Sequence, residues 1–572
     1  MKKLIAASLI ALTIASAAFA ITWPWQKKKA AKNEELNISI FTIQQRNQPD
    51  QATNKTYKWI KEKFGVTFTF DILVGDKEQK KGLLISDPSS LPDLVEVDDA
   101  RFIDAGLLWP LDEWINNDKA YANLKKHYQQ NPTDWIKMTE ADGHVYCLPN
   151  YGVYDGPDQG TFYNGNAFWI QKEVLKEFGY PTIKYIDEYF DLLEKYAKKY
   201  PKIDGMDTIP FSILAAGWEN FNMWNPPVFL AGSANEGDYI VVEDKTKKSG
   251  YAISMAATSE TGKRWYKLAN EKYNAGLIDP ASFTDTQDQY KAKIAQGRVL
   301  GMFIQGWEFP DQENALRAAG KANRTYAPLA LTFDKNYTAH YRDRALPNIQ
   351  RGYGITTNCS EEKAKRILKF MNDQLAEENQ IILQWGFEGE DWQYGADGVP
   401  YRTPEQRKQQ EDPEWIDANK AKLWQEEAPK MEGSFPKSGY ACSIANLPSE
   451  FAASLNDKPE DLELFKAYGV PSYAALVDPN PRENDGWYPL WQVKVPSDGT
   501  EEAAIYNSYT EVFAKHLPGI IMAKPSEFDA KWNAFIKAMG NLGIEKYEEW
   551  FQARLDERVA QFGGSNANKK KK

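Results

Sequence analysis

The segment Leu36-Asn37-Ile38-Ser39-Ile40-Phe41-Thr42-Ile43 constrains the fold more than any other part of the chain. It alternates apolar with small polar residues and carries no charge, the pattern of a strand buried in a sheet. Asn54 then offers an N-cap to a helix whose apolar face is Tyr57, Ile60 and Phe64, and Gly65 stops that helix. Val66 to Leu73 is the next strand. Strand, helix and strand in succession form a βαβ unit, so the predicted sheet is parallel and the class α/β. A further strand, Leu94-Val95-Glu96-Val97, follows the turn Ser89-Ser90-Leu91-Pro92-Asp93.

Downstream the periodicity turns helical. Ile186, Phe190, Leu193 and Ala197 share a face, and Pro201 ends that helix. Ser360 caps a helix with Glu361 and Glu362 in its first turn, where the dipole favours carboxylates. Ser526-Glu527-Phe528-Asp529 resembles a capping box before Trp532, Phe535 and Met539, and Ile544 to Val559 is the last amphipathic helix. These stripes are core faces. No internal repeat is visible, which sets solenoids and propellers aside.

Across 572 residues, 42% hydrophobic content supplies ample core. Length alone predicts three or four domains, or fewer large ones. Aromatic residues reach 13%, including 19 Trp and 30 Tyr, an excess that points to exposed rings in a ligand site. A net charge of −11 without a basic stripe argues against nucleic acid as partner, because phosphate binding needs clustered Lys and Arg. Four His and three Cys (Cys147, Cys359, Cys442) are too scattered for a zinc or CxxC site, and allow at most one disulfide.

Met1-Lys2-Lys3, the apolar run Leu4 to Ala15 and Ala18-Phe19-Ala20 read as a cleaved export signal, residues 1–20. The apolar run falls short of the roughly 20 residues a membrane span needs. No Cys follows it, so no lipid anchor is expected and the predicted location is a soluble, periplasmic one. Residues 21–35 read as a mobile leader and 564–572 as a disordered tail.

Several fragments then fall in the order of a known family. Leu91-Pro92-Asp93-Leu94-Val95, Ala105-Gly106-Leu107-Leu108 with Pro110-Leu111-Asp112, and Asp142-Gly143-His144-Val145-Tyr146-Cys147-Leu148-Pro149 come first. Phe168 to Leu175, Gly276-Leu277-Ile278-Asp279-Pro280, Gly297-Arg298-Val299-Leu300-Gly301-Met302 and Gly386-Phe387-Glu388-Gly389-Glu390 follow. Together they resemble the extracellular solute-binding proteins of ABC importers, family 1, the large carbohydrate-binding type. The resemblance implies two α/β lobes joined by hinge strands, an oligosaccharide trapped between them, a membrane permease as partner, a monomer, no cofactor and no enzymatic activity. Carried over by segment, lobe 1 is 36–160 and 353–396, lobe 2 is 161–352 and 397–563, with crossings near Tyr163, Gly352 and Tyr401. Large relatives often carry a calcium loop before an Ile-Pro. Here Pro201 to Pro210 offers only Asp204 and Asp207 beside Lys202, too few for the roughly six oxygens calcium takes, so no metal is expected.

A sugar presents C–H faces that lie on aromatic rings and hydroxyls that need paired polar groups. Trp307, after the strand Val299 to Ile304 and Gln305-Gly306, is the first candidate platform, matching the family's ring near this place. Trp218, Asn222 and Trp224 lie in Gly217-Trp218-Glu219-Asn220-Phe221-Asn222-Met223-Trp224. Tyr151, Tyr154 and Asp155 occupy the loop after Leu148-Pro149. Gln44 and Arg46 follow the first strand, and Asp98, Asp99 and Arg101 follow Val97, at carboxyl ends of strands where open α/β sheets bind ligands. Glu388, Glu390 and Asp391 beside Trp385 and Trp392 raise a glycosidase as the alternative, but nothing sets a second carboxylate across a cleft from them. A glycan-adhesion module would keep the rings without a hinge.

Overall fold

The computed structural model describes residues 35–561 apart from 45, 98–99, 131, 141, 154–160, 234–238, 244–250, 343–351, 478–495 and 497–498. The expected signal, the leader up to residue 34 and the tail lie outside the described residues. Among those described, two main sheets are built from nine strands: β1 (Leu36–Thr42), β2 (Val66–Ile72), β3 (Leu94–Val97), β4 (Cys147–Pro149), β5 (Asn166–Gln171), β6 (Ile209–Ser212), β7 (Val299–Gln305), β8 (Tyr326–Leu329) and β9 (Gly352–Ile355). The first sheet runs β2-β1-β3-β9-β4 and the second β8-β5-β7-β6.

The βαβ reading holds: β1 is parallel to β2 and β3. Its helix, Lys55–Phe64, is capped by Asn54, whose Oδ1 accepts from Tyr57 N at 3.0 Å, and ends on Gly65 in the left-handed region. The sheets are nonetheless mixed. β9 is antiparallel to β3 and β4 because it enters beside the carboxyl end of β3, Gly352 opposite Val97, and must run back. In the second sheet β5 is antiparallel to β7 and β8, and only β6 and β7 run parallel. Ser360 caps helix Glu361–Gln374 as expected. The capping box at Ser526 does not form: Pro525 turns the chain into a short 3-10 segment, and helix Phe528–Leu542 begins without a side-chain cap.

Each sheet has its own core. Ile38, Ile40, Leu94, Tyr353, Ile367 and Leu368 belong to the first; Phe168, Tyr189, Trp265, Phe303, Phe513 and Phe535 belong to the second. The lobe boundaries differ from the expected ones at the third crossing. Leu423 and Trp424 pack in the first core, and Met431, Phe435, Cys442 and Leu447 join Trp385 and Trp392 beside it. Phe451 and everything packed after it belong to the second core. The crossing therefore lies near Leu447, not Tyr401. Trp424 explains the difference: its ring stacks on Phe68 (4.9 Å), Phe370 (5.3 Å) and Tyr353 (5.4 Å), a slot already made by the first lobe.

Two contacts tie the lobes at this junction. Thr161 Oγ1 donates to Asn446 Oδ1 at 2.8 Å, so the first and third crossings touch. Glu450, its side chain wholly buried, accepts from Arg402 N at 2.7 Å and Arg402 Nε at 2.8 Å, with Arg407 3.7 Å away. Arg407 in turn reaches Asp457 at 3.0 Å. Helix Pro404–Gln410 is anchored to the first lobe through Gln406 Nε2 and Gln410 Nε2, which donate to the carbonyls of Glu390 (2.8 Å) and Asp391 (2.7 Å). Glu450→Ala leaves two guanidinium groups without their shared anion. The expected cost is about 3–5 kcal/mol, read as a lowered denaturation midpoint that added salt does not restore.

Candidate functional site

The lobe-2 half of the site begins where β7 ends. The strand is buried through Ile304, and Gln305 emerges from it. Gly306 then passes so close to the first crossing that a Cβ would lie 2.9 Å from the Trp169 ring and 3.0 Å from Asn164 Cα, which only glycine allows. That passage holds Trp307 beside the crossing, 44% exposed, with its indole N–H donating to Gln305 Oε1. Trp307 is thus a partly exposed ring held by Gln305 at the lobe junction.

Beneath it Glu308 is buried. Asn222 Nδ2 donates to both of its oxygens at 3.0 Å and to the Glu219 carbonyl at 3.0 Å. Glu219 pairs with Lys291 at 3.1 Å. Burial, with Glu219 nearby, pushes the Glu308 carboxyl up to about 8 despite the Asn222 hydrogen bonds. Asn222, expected at the ligand, is 1% exposed and its amide is committed to Glu308, so it supports the turn rather than lining the surface. Trp224 is a core ring, 2% exposed and edge-on to Phe513 at 5.3 Å. The apolar helices of the second lobe claim it. The Trp218 side chain lies outside the described residues; its backbone opens the short 3-10 helix that carries Glu219 and Asn222.

The lobe-1 half sits at the carboxyl ends of β1 and β3. Glu96, fully buried, accepts from Thr42 Oγ1 and Ile43 N, both at 2.9 Å, and so fixes the exit of β1. Gln44 follows and donates from Nε2 to the buried Glu427 at 3.2 Å. Arg46 is exposed. Arg101 turns to Glu78 at 2.5 Å, on the helix Lys77–Ser86. Tyr151 pairs through its backbone with Lys430 in a short parallel ladder, while its side chain, with Tyr154, Asp155, Asp98 and Asp99, lies outside the described residues.

Sequence reasoning missed Glu96, Glu427, Gln305 and Glu308. Glu96 had a signal, a lone carboxylate inside an otherwise apolar strand. The candidate glycosidase carboxylates lie in one loop, and Glu390 and Asp391 both pair with Lys55, at 2.9 and 3.0 Å. The three cysteines are free thiols.

The expected calcium position is a tight hairpin, Lys202–Ile203 against Met206–Asp207. Asp204 (φ 50°) and Gly205 (φ 81°) form its turn in the left-handed region, the geometry of a two-residue hairpin loop. Lys321 Nζ lies 2.7 Å from Asp204 Oδ2, and this ammonium holds the Asp204 carboxyl below its usual range. Among the described residues no group of three or more His, Cys, Asp or Glu is placed to hold a metal.

No family model matches the chain. The fructooligosaccharide ABC transporter substrate-binding protein FusA of Streptococcus pneumoniae is 26% identical over 384 residues, 65% of this chain and 66% of that relative. The alignment thus spans just under two thirds of FusA. Solved FusA in complex with kestose superposes with a TM-score of 0.65 at 18% identity, covering 92% of this chain and 99% of that one. Alginate-binding protein AlgQ2 without calcium ion gives 0.60 at 15% identity, covering 92% and 98%. A solute-binding protein from Bifidobacterium longum infantis gives 0.59 at 15%, covering 91% and 99%.

The fold is that of a two-lobed solute-binding protein. The resemblance to ABC-importer binding proteins read from the sequence is matched by these relatives.

Two measurements test the site. A raised carboxyl stabilises the fold fully below its ordinary value of 4.5, and that contribution is lost as pH rises through about 8. Glu308→Gln, which cannot ionise, should therefore gain on the wild type by about 1.4 kcal/mol per pH unit across that window and level off above it, read by thermal melting. Separately, chelator treatment should leave the melting temperature unchanged, because Lys321 already neutralises Asp204.

Proposed function

We propose that this chain is the substrate-binding component of an ABC transporter, capturing an oligosaccharide between its lobes and delivering it to a membrane permease. It works as an exported, periplasmic monomer and not as an enzyme. Trp307 carries the reading: a large ring held 44% exposed at the lobe junction suits the C–H face of a sugar. The relatives point the same way, since FusA is a fructooligosaccharide-binding component solved with kestose. Among the described residues no helix is long and apolar enough to cross a membrane, which fits a component that meets its permease from outside.

Calorimetric titration with a panel of neutral oligosaccharides, kestose and nystose first, tests this directly. A binder should return the sugar intact, shift its Trp emission and contract in solution scattering as the lobes close. Trp307→Ala should weaken binding by about 1–3 kcal/mol, the value of burying one large apolar side chain. That is about ten- to a hundred-fold or slightly more in Kd, with melting nearly unchanged. Trp224→Ala should instead cost about 3–5 kcal/mol of stability. Hydrolysis of the sugar, or a Trp307→Ala protein that melts early yet binds normally, would refute the reading.

A further inference from the structure

A cavity of about 890 Å³ opens on lobe 1, lined by none of the residues of the β7 turn and its network. It lies between helix Lys55–Phe64, helix Glu377–Gln384 and the loop Gly386–Tyr394, and every residue lining it comes from the first lobe. Its size falls within the range of small-ligand sites.

The lining is built of rings and hydrogen-bonding groups. Tyr394 is 45% exposed, although its ring is held edge-on by the buried Trp392 at 5.1 Å. Phe387, half-buried, presents a second ring, and Lys55 Nζ sits 4.5 Å above its centroid. Lys55 is already neutralised by Glu390 and Asp391, so it adds rigidity and not net charge. At the rim Glu62 and Glu388 are exposed acceptors with no ion pair among the described residues, and Lys58 is an exposed donor in the same condition. Carboxylates (Glu62, Glu378, Glu388, Glu390) and ammonium groups (Lys55, Lys58, Lys63) thus line the same cavity as the rings. An ion of either sign would meet like charge there, whereas a neutral polyol finds both acceptors and donors above an aromatic face.

We infer that this cavity is a second, weaker carbohydrate site, in which a neutral sugar ring lies on Tyr394 with its hydroxyls bonded to Glu388 and Lys58. The inference rests on the proposed function, because it assigns to the cavity the same class of ligand. A chain with two such sites can hold a long oligosaccharide, or a second molecule of a short one, outside its main cleft.

Kestose is the probe, with calorimetry and saturation-transfer NMR carried into the millimolar range. The wild type should bind in two classes, one tight and one weak. Tyr394→Ala, an exposed position whose loss spares the core, should weaken the second class at least tenfold and leave the tight class unchanged. Trp307→Ala should do the reverse. Glu388→Gln, which keeps a hydrogen-bonding oxygen, should weaken the second class less than Tyr394→Ala does. Saturation at one kestose per chain would overturn the second site while leaving the proposed function standing. So would a weak class that survives both Tyr394→Ala and Glu388→Gln. No binding of kestose in either class would count against both.

Discussion

Buried charge at the lobe junction is the constraint on which this molecule's architecture turns. Glu450 has no water to solvate it, so its stability depends on Arg402 and Arg407 being where they are. Those arginines are set by helix Pro404–Gln410, which in turn hangs from the carbonyls of Glu390 and Asp391 in the first lobe. Glu450 lies on the segment that carries Phe451 into the second core. Glu450 therefore links the two cores, beside the pairs Arg407–Asp457 and Lys458–Glu411 and the Thr161–Asn446 hydrogen bond. Ion pairs of this kind are directional, so the junction has a defined geometry where an apolar contact would allow sliding.

The same logic operates at smaller scale on either side of the junction. In the second lobe, Glu308 and Asn222 lock the turn that displays Trp307, and Gln305 holds the indole N–H. In the first lobe, Glu96 takes the backbone N–H of Ile43 and the hydroxyl of Thr42, fixing where β1 releases Gln44 and Arg46. Each half places a polar scaffold under its surface and leaves the surface itself open. An aromatic ring so supported loses little freedom when a ligand arrives, which favours binding.

Much of this was legible in the sequence where the cause is local. Asn54, Gly65 and Ser360 act over a few residues, and their helices begin and end where those residues dictate. Trp307 is picked out by its place after the strand Val299 to Ile304 and by the ring the family resemblance expects near there. Long-range causes were not legible. Trp224 and Trp424 look alike in sequence, yet one is taken up by Phe513 and the other by Tyr353, Phe68 and Phe370. The side of the third crossing followed from that choice. Glu427 meets Gln44 across 383 positions of chain, a pairing no local pattern can announce.

The way the cores are threaded has a kinetic consequence. The first is completed by Trp424 and the second joins Ala167 to Val559, so each spans a long interval of chain. Contacts so remote in sequence must wait for loop closure, and folding dominated by them is slow. During synthesis neither lobe can finish its core until residues far downstream have left the ribosome. A chain threaded in this way carries unfinished cores through most of its synthesis, and its exposed apolar faces must wait for their partners downstream.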